Sequence, residues 1–581
     1  MAIVNKKVTA FTTTVVLLLS TAGLGSLALF KNQSYSGIID FLILKLSRPD
    51  LKSLITESLF PVTLYDTLQS LLWVMCVLIV LMTVICILKR NVLAAWILFA
   101  SLTFKKAVIN VFTYYSGLSS KEKFLFYFFT CSALILSCFR IANRDITYDE
   151  AWNYNYFISK PVYFSFLLFN TYPLYHSMAH IFNYLPFDDT INIRLPAVFS
   201  GICLLILFFY LLQKNFSKAV SFITVLLVIV SPFYTIYSSI SKGVITSALF
   251  SLVVFYSVLQ VTENNKPKQY FFLFTVAGFL NILCMPATAI FIIAAAIFLV
   301  LDFTFKKNVR RVFQSILACI YVFVAAIPFY ITTLISTGRD AILKTGTNEF
   351  TINTVYERVK RIFIITSRSF FYYHSITLAL LVLSVILLFV LKNKYLKKQI
   401  LFSLCIAFVT ALFFIFNKEE LPDRAISFLF IPAVFMIAVL LDYLYSINLF
   451  SKAHAAFAVA ATTALLIAGY YNTYRFLHPP LYQKEDKIIS NVLLQNHVTT
   501  SYVNNESFFI HYPIIQYYYN RQGLSWVMNT PETNSTRFKK FDMKDDYDCI
   551  ITGINYPADQ LPGYRNIFKG SDFIIFIKDK E

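Results

Sequence analysis

Five charged residues carry most of the chemical potential in this chain. Asp149 and Glu150 form an acidic pair in the stretch Ala142–Tyr156, ANRDITYDEAWNYNY, and three cations, Arg194, Lys242 and Arg424, stand far from it in sequence. A carboxylate takes a proton from a hydroxyl, and a guanidinium or ammonium group holds a phosphate anion as charge develops on it. Jointly they would hold a lipid-linked phosphate beside a base; singly, each cation also serves as a headgroup anchor. His176 and His180 lie at i and i+4 on a helix opening at Pro173 in FNTYPLYHSMAH, Phe169–His180. That spacing can bind a metal together with a carboxylate, while a polar helix face with aromatic packing is the plainer account.

These residues meet only if the elements between them bring them to one face. A composition of 58% hydrophobic and 14% charged residues excludes the ordinary soluble globular class. The apolar residues fall in blocks of roughly 18 to 23, the length at which a helix rising about 1.5 Å per residue crosses a bilayer. The formal charge of +19 sits mostly in short loops: Lys89-Arg90, Lys306-Lys307 with Arg310-Arg311, and Lys392 to Lys398. These read as cytoplasmic loops, so nucleic acid is not an expected partner. Eight of the nine cysteines lie in apolar blocks and Cys549 alone in a polar tail, which argues against a disulfide framework or zinc cluster. There is no Gly-rich phosphate loop, GxSxG or CxxC motif, and no transporter-like internal repeat.

With Lys6 and Lys7 inside, thirteen transmembrane helices are expected, at Val8–Phe30, Leu68–Leu88, Phe124–Ile141, Leu195–Leu212, Ala219–Ile236, Val244–Val261, Tyr270–Cys284, Ala287–Phe303, Val312–Ile335, Ile376–Leu391, Ile400–Phe416, Ala425–Tyr445 and Ala455–Tyr471. The first is too long for a signal peptide and lacks a cleavage site. Val92–Phe104 and Ala107–Tyr115, separated by Lys105-Lys106, are too short to cross and read as an inner-face interfacial segment. The long outward segments 31–67, 142–194 and 336–375 are expected to hold amphipathic helices, Ile352–Phe371 among them. The tail reads as a small α/β domain, with a helix at Gln483–Gln495 and strands at Ser507–Ile510, Cys549–Ile551 and Phe573–Ile577. The expected domains are 1–123, an N-terminal extension with two spans; 124–477, a transmembrane catalytic domain; and 478–581, the soluble tail. An odd number of spans puts the acidic pair, the three cations and the tail outside.

The order of these pieces resembles the GT-C superfamily of polyprenyl-phosphate-sugar-dependent membrane glycosyltransferases, the protein O-mannosyltransferases and the lipid A aminoarabinose transferase (glycosyltransferase family 39-like). The resemblance covers roughly Phe124 to Tyr471: an acidic pair after a span (Asp149-Glu150), NTYPLY for the family's NHPLY, Arg194-Leu195-Pro196, SPFYTIYSSISKGVIT for SPF...YS..ARGYA, and Pro422, Arg424, Phe428 and Pro432. Lys242 stands where Arg is usual, and Tyr172 where His is common.

The resemblance implies an all-α polytopic GT-C fold with outward amphipathic helices and the small α/β domain. It implies Asp149 as general base, Glu150 orienting base or acceptor, Lys242 and Arg424 on the donor phosphate with Arg194 a helper, and Tyr148, Asn170 and Tyr172 at the substrate. The implied partners are a polyprenyl-phosphate-linked sugar, a lipid, glycan or protein acceptor, and membrane lipids. No cofactor is required and no metal ligands are assigned, although a divalent metal stays open. An oligosaccharyltransferase would need metal-binding carboxylates, for which Asp188-Asp189 is the only spare pair. The rival class is a lipid or glycan transporter or flippase, which tends to carry ionisable groups at mid-membrane; a scaffold for another membrane enzyme is a third reading. The abundance of Phe, Tyr, Lys, Ile and Asn suits an AT-rich bacterial genome, hence an inner membrane with the tail in the periplasm.

Overall fold

The computed structural model describes residues 2–46, 56, 61–162, 164–167, 172–263, 267–343, 357, 360, 364, 374–416, 423–447, 467, 469–475, 481–504, 508, 511–524, 526–529, 547–553, 561, 563–570 and 573–579. Among the described residues, nine helices are long and apolar enough to cross a membrane, and Lys218–Val230 and Lys268–Cys284 are shorter apolar helices. Each expected span up to Ala425–Tyr445 has described helix beneath it. The last, Ala455–Tyr471, lies mostly outside the described residues, as does Ile352–Phe371. Large apolar side chains stand exposed along the spans, among them Trp73, Leu88, Phe139 and Phe389. Such a surface is stable against lipid tails and not against water; the chain is a multi-pass membrane protein.

Contacts divide the described residues into two compact units, one formed by those up to 119 with 333–338, the other by those that remain. In the first, Ala2–Lys31 packs on Val62–Leu88, with Ser20 Oγ 2.6 Å from Thr83 Oγ1 and Gln69 Nε2 donating to the Phe30 carbonyl at 3.2 Å. The helix Arg90–Ser116 runs unbroken through Lys105-Lys106, where the sequence suggested two short pieces. Lysine is a good helix former, so a polar pair interrupts the apolar pattern without interrupting the hydrogen-bond ladder.

In the second unit, two prolines shape the region that matters. The expected span Ala219–Ile236 is split into Lys218–Val230 and Pro232–Tyr237. Pro232 excludes Ser231 from helical backbone, and Ser231 takes an extended conformation, its Oγ accepting from Tyr234 N at 3.1 Å to cap the new helix. Likewise Pro267–Cys284 stops at Met285, ahead of Pro286. The outward segment 142–194 folds as Tyr148–Asn153, a π-helical turn at Tyr154–Ile158, Phe164–Leu167, Pro173–Phe182 and Asp189–Asn192.

The tail forms a five-stranded sheet from β1 (Thr500–Asn504), β2 (Val527–Asn529), β3 (Cys549–Gly553), β4 (Tyr564–Lys569) and β5 (Phe573–Lys578), in the order β2-β1-β3-β5-β4. β1 pairs in parallel with β2 and β3, and β5 is antiparallel to β3 and β4. Helices Leu481–Gln495 and Tyr512–Arg521 complete it, burying Ile489, Leu493 and Ile515. The expected helix and the strands at β3 and β5 are present. The strand expected at Ser507–Ile510 falls largely outside the described residues. β1, β2 and β4 are short or polar and gave no apolar run to read. All nine cysteines are unbridged.

Candidate active site

The helix Tyr148–Asn153 starts at Thr147, and Glu150, three residues on, reaches back to it: Glu150 Oε2 accepts from both Thr147 N and Thr147 Oγ1 at 3.0 Å. This is the Thr-x-x-Glu capping arrangement, which satisfies a backbone donor that the first helical turn leaves unpaired. Glu150 Oε1 accepts from Ser241 N at 2.7 Å, tying the helix to the turn that carries Lys242. Arg194 meets the same carboxylate as a fork, Nε at 2.8 Å and Nη2 at 2.7 Å, with both side chains 0% exposed. Burial by itself would raise the Glu150 carboxyl, but the charge and hydrogen bonds of Arg194, with those of Ser241 and Thr147, outweigh it and hold it at about 2.

Arg194 has no donor to spare. Its Nη1 binds the carbonyls of Ile141 at 3.1 Å and Arg144 at 2.6 Å, and its Nη2 also binds that of Asp145 at 2.9 Å. With two bonds to Glu150 these account for all five N–H groups of a guanidinium. The sequence reading made Arg194 a helper at the donor phosphate and Glu150 the residue that orients base or acceptor. In the structure the two form a closed clamp between the end of the span Ser120–Asn143 and the helix that follows. Thr147-x-x-Glu150 was the sequence signal for this.

Asp149 is left outside the clamp, and the two remaining cations converge on it. Lys242 is ion-paired with it, and Arg424 Nη1 lies 3.3 Å from Oδ2, across 275 residues of sequence. The three side chains remain partly open, at 34% for Asp149, 13% for Lys242 and 36% for Arg424. Lys242 is aimed by its neighbours: Ser241 is held by Glu150, its carbonyl accepts from Asn153 Nδ2 at 3.3 Å, and Gly243 passes so close to the Met285 turn that a Cβ there would stand 2.5 Å from the Cys284 carbonyl oxygen. Only glycine permits that approach. Tyr172, at the start of Pro173–Phe182, is buried beside Gly243 and hydrogen-bonds Arg424.

Tyr148 is exposed one residue before Asp149 and stacks on Trp152 at 6.5 Å, and Trp152 packs on Tyr156 at 4.4 Å. Asn170 lies outside the described residues. The two histidines do not converge: His176 is buried, stacked on Phe157 at 4.8 Å and held neutral by a burial-driven fall of its pKa to about 3. His180 Nδ1 pairs with the Ile158 carbonyl at 2.8 Å, and the Tyr184 hydroxyl reaches its Nε2 at 3.2 Å. The pair Asp188-Asp189 is also engaged, Asp188 with Thr190 and Arg521 and Asp189 with the Tyr154 hydroxyl. Among the described residues there is no group of three His, Cys, Asp or Glu arranged to hold a metal ion. Sequence reasoning missed Ser241 and Gly243, whose importance depends on close approaches to segments about ninety residues away, at Glu150 and Asn153, and about forty residues away, at Cys284.

Residues 162–332 match the family model described as dolichyl-phosphate-mannose-protein mannosyltransferase. No curated protein sequence gives a significant match to the chain. Among solved structures, the fold is similar to that of ArnT from Cupriavidus metallidurans in the apo state, with a TM-score of 0.54 at 12% identity, covering 79% of this chain and 98% of ArnT. It is also similar to ArnT from the same organism bound to undecaprenyl phosphate, with a TM-score of 0.52 at 11% identity, covering 77% of this chain and 97% of the other. The chain thus has the ArnT-like GT-C fold that the order of its motifs implies.

Proposed function

We propose that this protein transfers a sugar from a polyprenyl-phosphate donor to a hydroxyl of a lipid, glycan or protein acceptor, with inversion, at the extracytoplasmic face of a bacterial inner membrane. The observation that carries the reading is the convergence of Lys242 and Arg424 on Asp149. Two cations against one carboxylate leave a local charge of +1, suited to an anionic phosphate, and place that anion beside a base. The fold supports the reading, since ArnT with this fold is recorded with undecaprenyl phosphate bound.

In the proposed cycle the donor phosphate takes over the positive charge of Lys242 and Arg424, which frees the oxygens of Asp149. Asp149 accepts the proton of the acceptor hydroxyl while that oxygen bonds to the anomeric carbon. The bond from that carbon to the phosphate oxygen breaks, and polyprenyl phosphate leaves with the electron pair, its charge met by the two cations. The lipid tail stays in the bilayer throughout, so no soluble nucleotide is required. Tyr148, Asn170 and Tyr172 line the substrate in this reading, and the C-terminal domain stands in the periplasm.

The test is transfer from a panel of radiolabelled polyprenyl-phosphate sugars by the purified protein in lipid. Asp149→Asn should lower turnover by about 10²- to 10⁴-fold with donor binding retained. Full turnover in a well-folded Asp149→Asn protein would remove Asp149 as the base, and movement of lipid across the bilayer without chemical change would favour a flippase.

A further inference from the structure

The segment that carries Asp149 is gripped from its other end by the C-terminal domain. Asn155, in the π-helical turn directly after Tyr148–Asn153, is 4% exposed. Its Nδ2 donates to the Pro513 carbonyl at 2.9 Å, and its Oδ1 accepts from Asn520 Nδ2 at 3.1 Å. Pro513 and Asn520 are near the two ends of the helix Tyr512–Arg521, so one side chain ties a backbone carbonyl from the first turn of that helix to a side chain from its last. Beside it Tyr154 packs edge-on against Tyr517, with ring centroids 5.1 Å apart. Two ion pairs flank the contact, Arg521 with Asp188 at 2.6 Å and Lys487 with Asp145 at 2.9 Å.

These contacts differ in weight. The flanking pairs are partly exposed on both partners, where an ion pair contributes little. The Asn155 amide is buried, so losing either bond leaves a polar group without water to replace its partner. A π-helical turn is a local departure from regular helix that recurs at functional sites, and here it presents Asn155 to the docked helix. The Arg194 clamp holds the start of the Asp149 helix and the C-terminal domain holds its end.

We infer that the C-terminal domain is a positioning element of the catalytic site, with Asn155 and the helix Tyr512–Arg521 setting where Asp149 stands. Six residues separate Asn155 from Asp149, about 9 Å along a helix, so a tilt at the docked end moves the carboxylate directly. The inference rests on Asp149 being the base; the docking contact does not.

The experiment uses the full-length protein in lipid with Asn155→Asp, which keeps the shape of the side chain and sets a carboxylate oxygen against the Pro513 carbonyl. Asn520→Ala attacks the same contact from the domain side. Amide hydrogen exchange should rise over residues 147–158 in both variants, with the spans unchanged. Turnover at saturating donor should fall by about 10- to 100-fold, the penalty expected of a displacement near 1 Å, while binding of undecaprenyl phosphate changes less than about twofold. Unchanged exchange with unchanged turnover would overturn the inference. So would a parallel loss of lipid binding, turnover and protection throughout the protein, which would mark Asn155 as a general stability residue. If exchange rises locally while Asp149→Asn keeps full transfer, the assignment of the base has failed and the docking stands as a structural contact only.

Discussion

Replacing Glu150 by glutamine tests the division of labour between two adjacent acids. The carboxylate accepts five hydrogen bonds, two from Arg194, one from Ser241 N, and one each from Thr147 N and Oγ1. A glutamine keeps one oxygen. If its NH2 replaces Oε1, it confronts Arg194 Nε and Ser241 N; if it replaces Oε2, it confronts Arg194 Nη2 and Thr147 N, and only the Thr147 hydroxyl can turn to accept from it. Either orientation sets donor against donor and leaves a fully buried guanidinium without its counter-charge. Breaking such a pair costs about 3–5 kcal/mol, or roughly 10²- to 10³-fold and more in the unfolding equilibrium. Thermal unfolding of purified protein, followed by tryptophan fluorescence, reads this directly, because Trp152 sits on the affected helix. Where unfolding is irreversible, inactivation rates at fixed temperature serve. Arg194→Lys should be nearly as damaging, since an ammonium cannot reproduce the five-donor fork. The pH dependence has a defined sign. The Glu150 carboxyl is held at about 2, below its ordinary value near 4.5; its contribution is complete above pH 4.5 and fades as pH falls toward 2. The gap between wild type and Glu150→Gln should therefore be constant above about pH 5 and close below it. A Glu150→Gln protein with wild-type unfolding and full turnover would refute the clamp.

Lys242→Ala should weaken binding of undecaprenyl phosphate by about 10- to 100-fold, the range for losing a hydrogen bond to a charged group, whereas Lys242→Arg should retain most of it. Both are read by direct lipid binding, and an unaffected Lys242→Ala would exclude this turn as the phosphate site. Gly243→Ala should destabilise by about 1–3 kcal/mol, because the added methyl meets the Cys284 carbonyl at 2.5 Å and backbone has to move. Turnover should fall with it, since Lys242 is the adjoining residue; a neutral Gly243→Ala in thermal unfolding would show that the approach is looser than described.

The difference between Asp149 and Glu150 shows how a site can be encoded twice in neighbouring letters. Successive helical residues point about 100° apart, so one carboxylate turns into the protein and is neutralised by a buried fork, while the next stays partly open beside two cations. The clamp then supports the site it does not enter, because Glu150 also holds Ser241 and with it the turn of Lys242.

Much of this was legible in the amino-acid order. Span length and apolar periodicity follow from bilayer thickness and helix rise, so the membrane helices could be read block by block; the break ahead of Pro286 was read with them, whereas the one at Pro232, inside an apolar run expected to be a single span, was not, although proline forbids the same backbone conformation in both places. The expectation that Asp149, Lys242 and Arg424 share a face came from counting spans, and their contact agrees with it. Three features depended on the tertiary structure. Arg194 passed for a ligand-binding cation because sequence gives its charge and not its saturation, which is decided by three carbonyls at the end of another helix. Gly243 is required only because the Cys284 carbonyl approaches it. Asn155 acquires its partners from a helix more than 350 residues away. Each is a matter of which groups satisfy one another at long range, and composition and periodicity are blind to that; the sequence by itself determined the membrane-spanning class and the order of its motifs, and only packing decided which of its charged groups remain open.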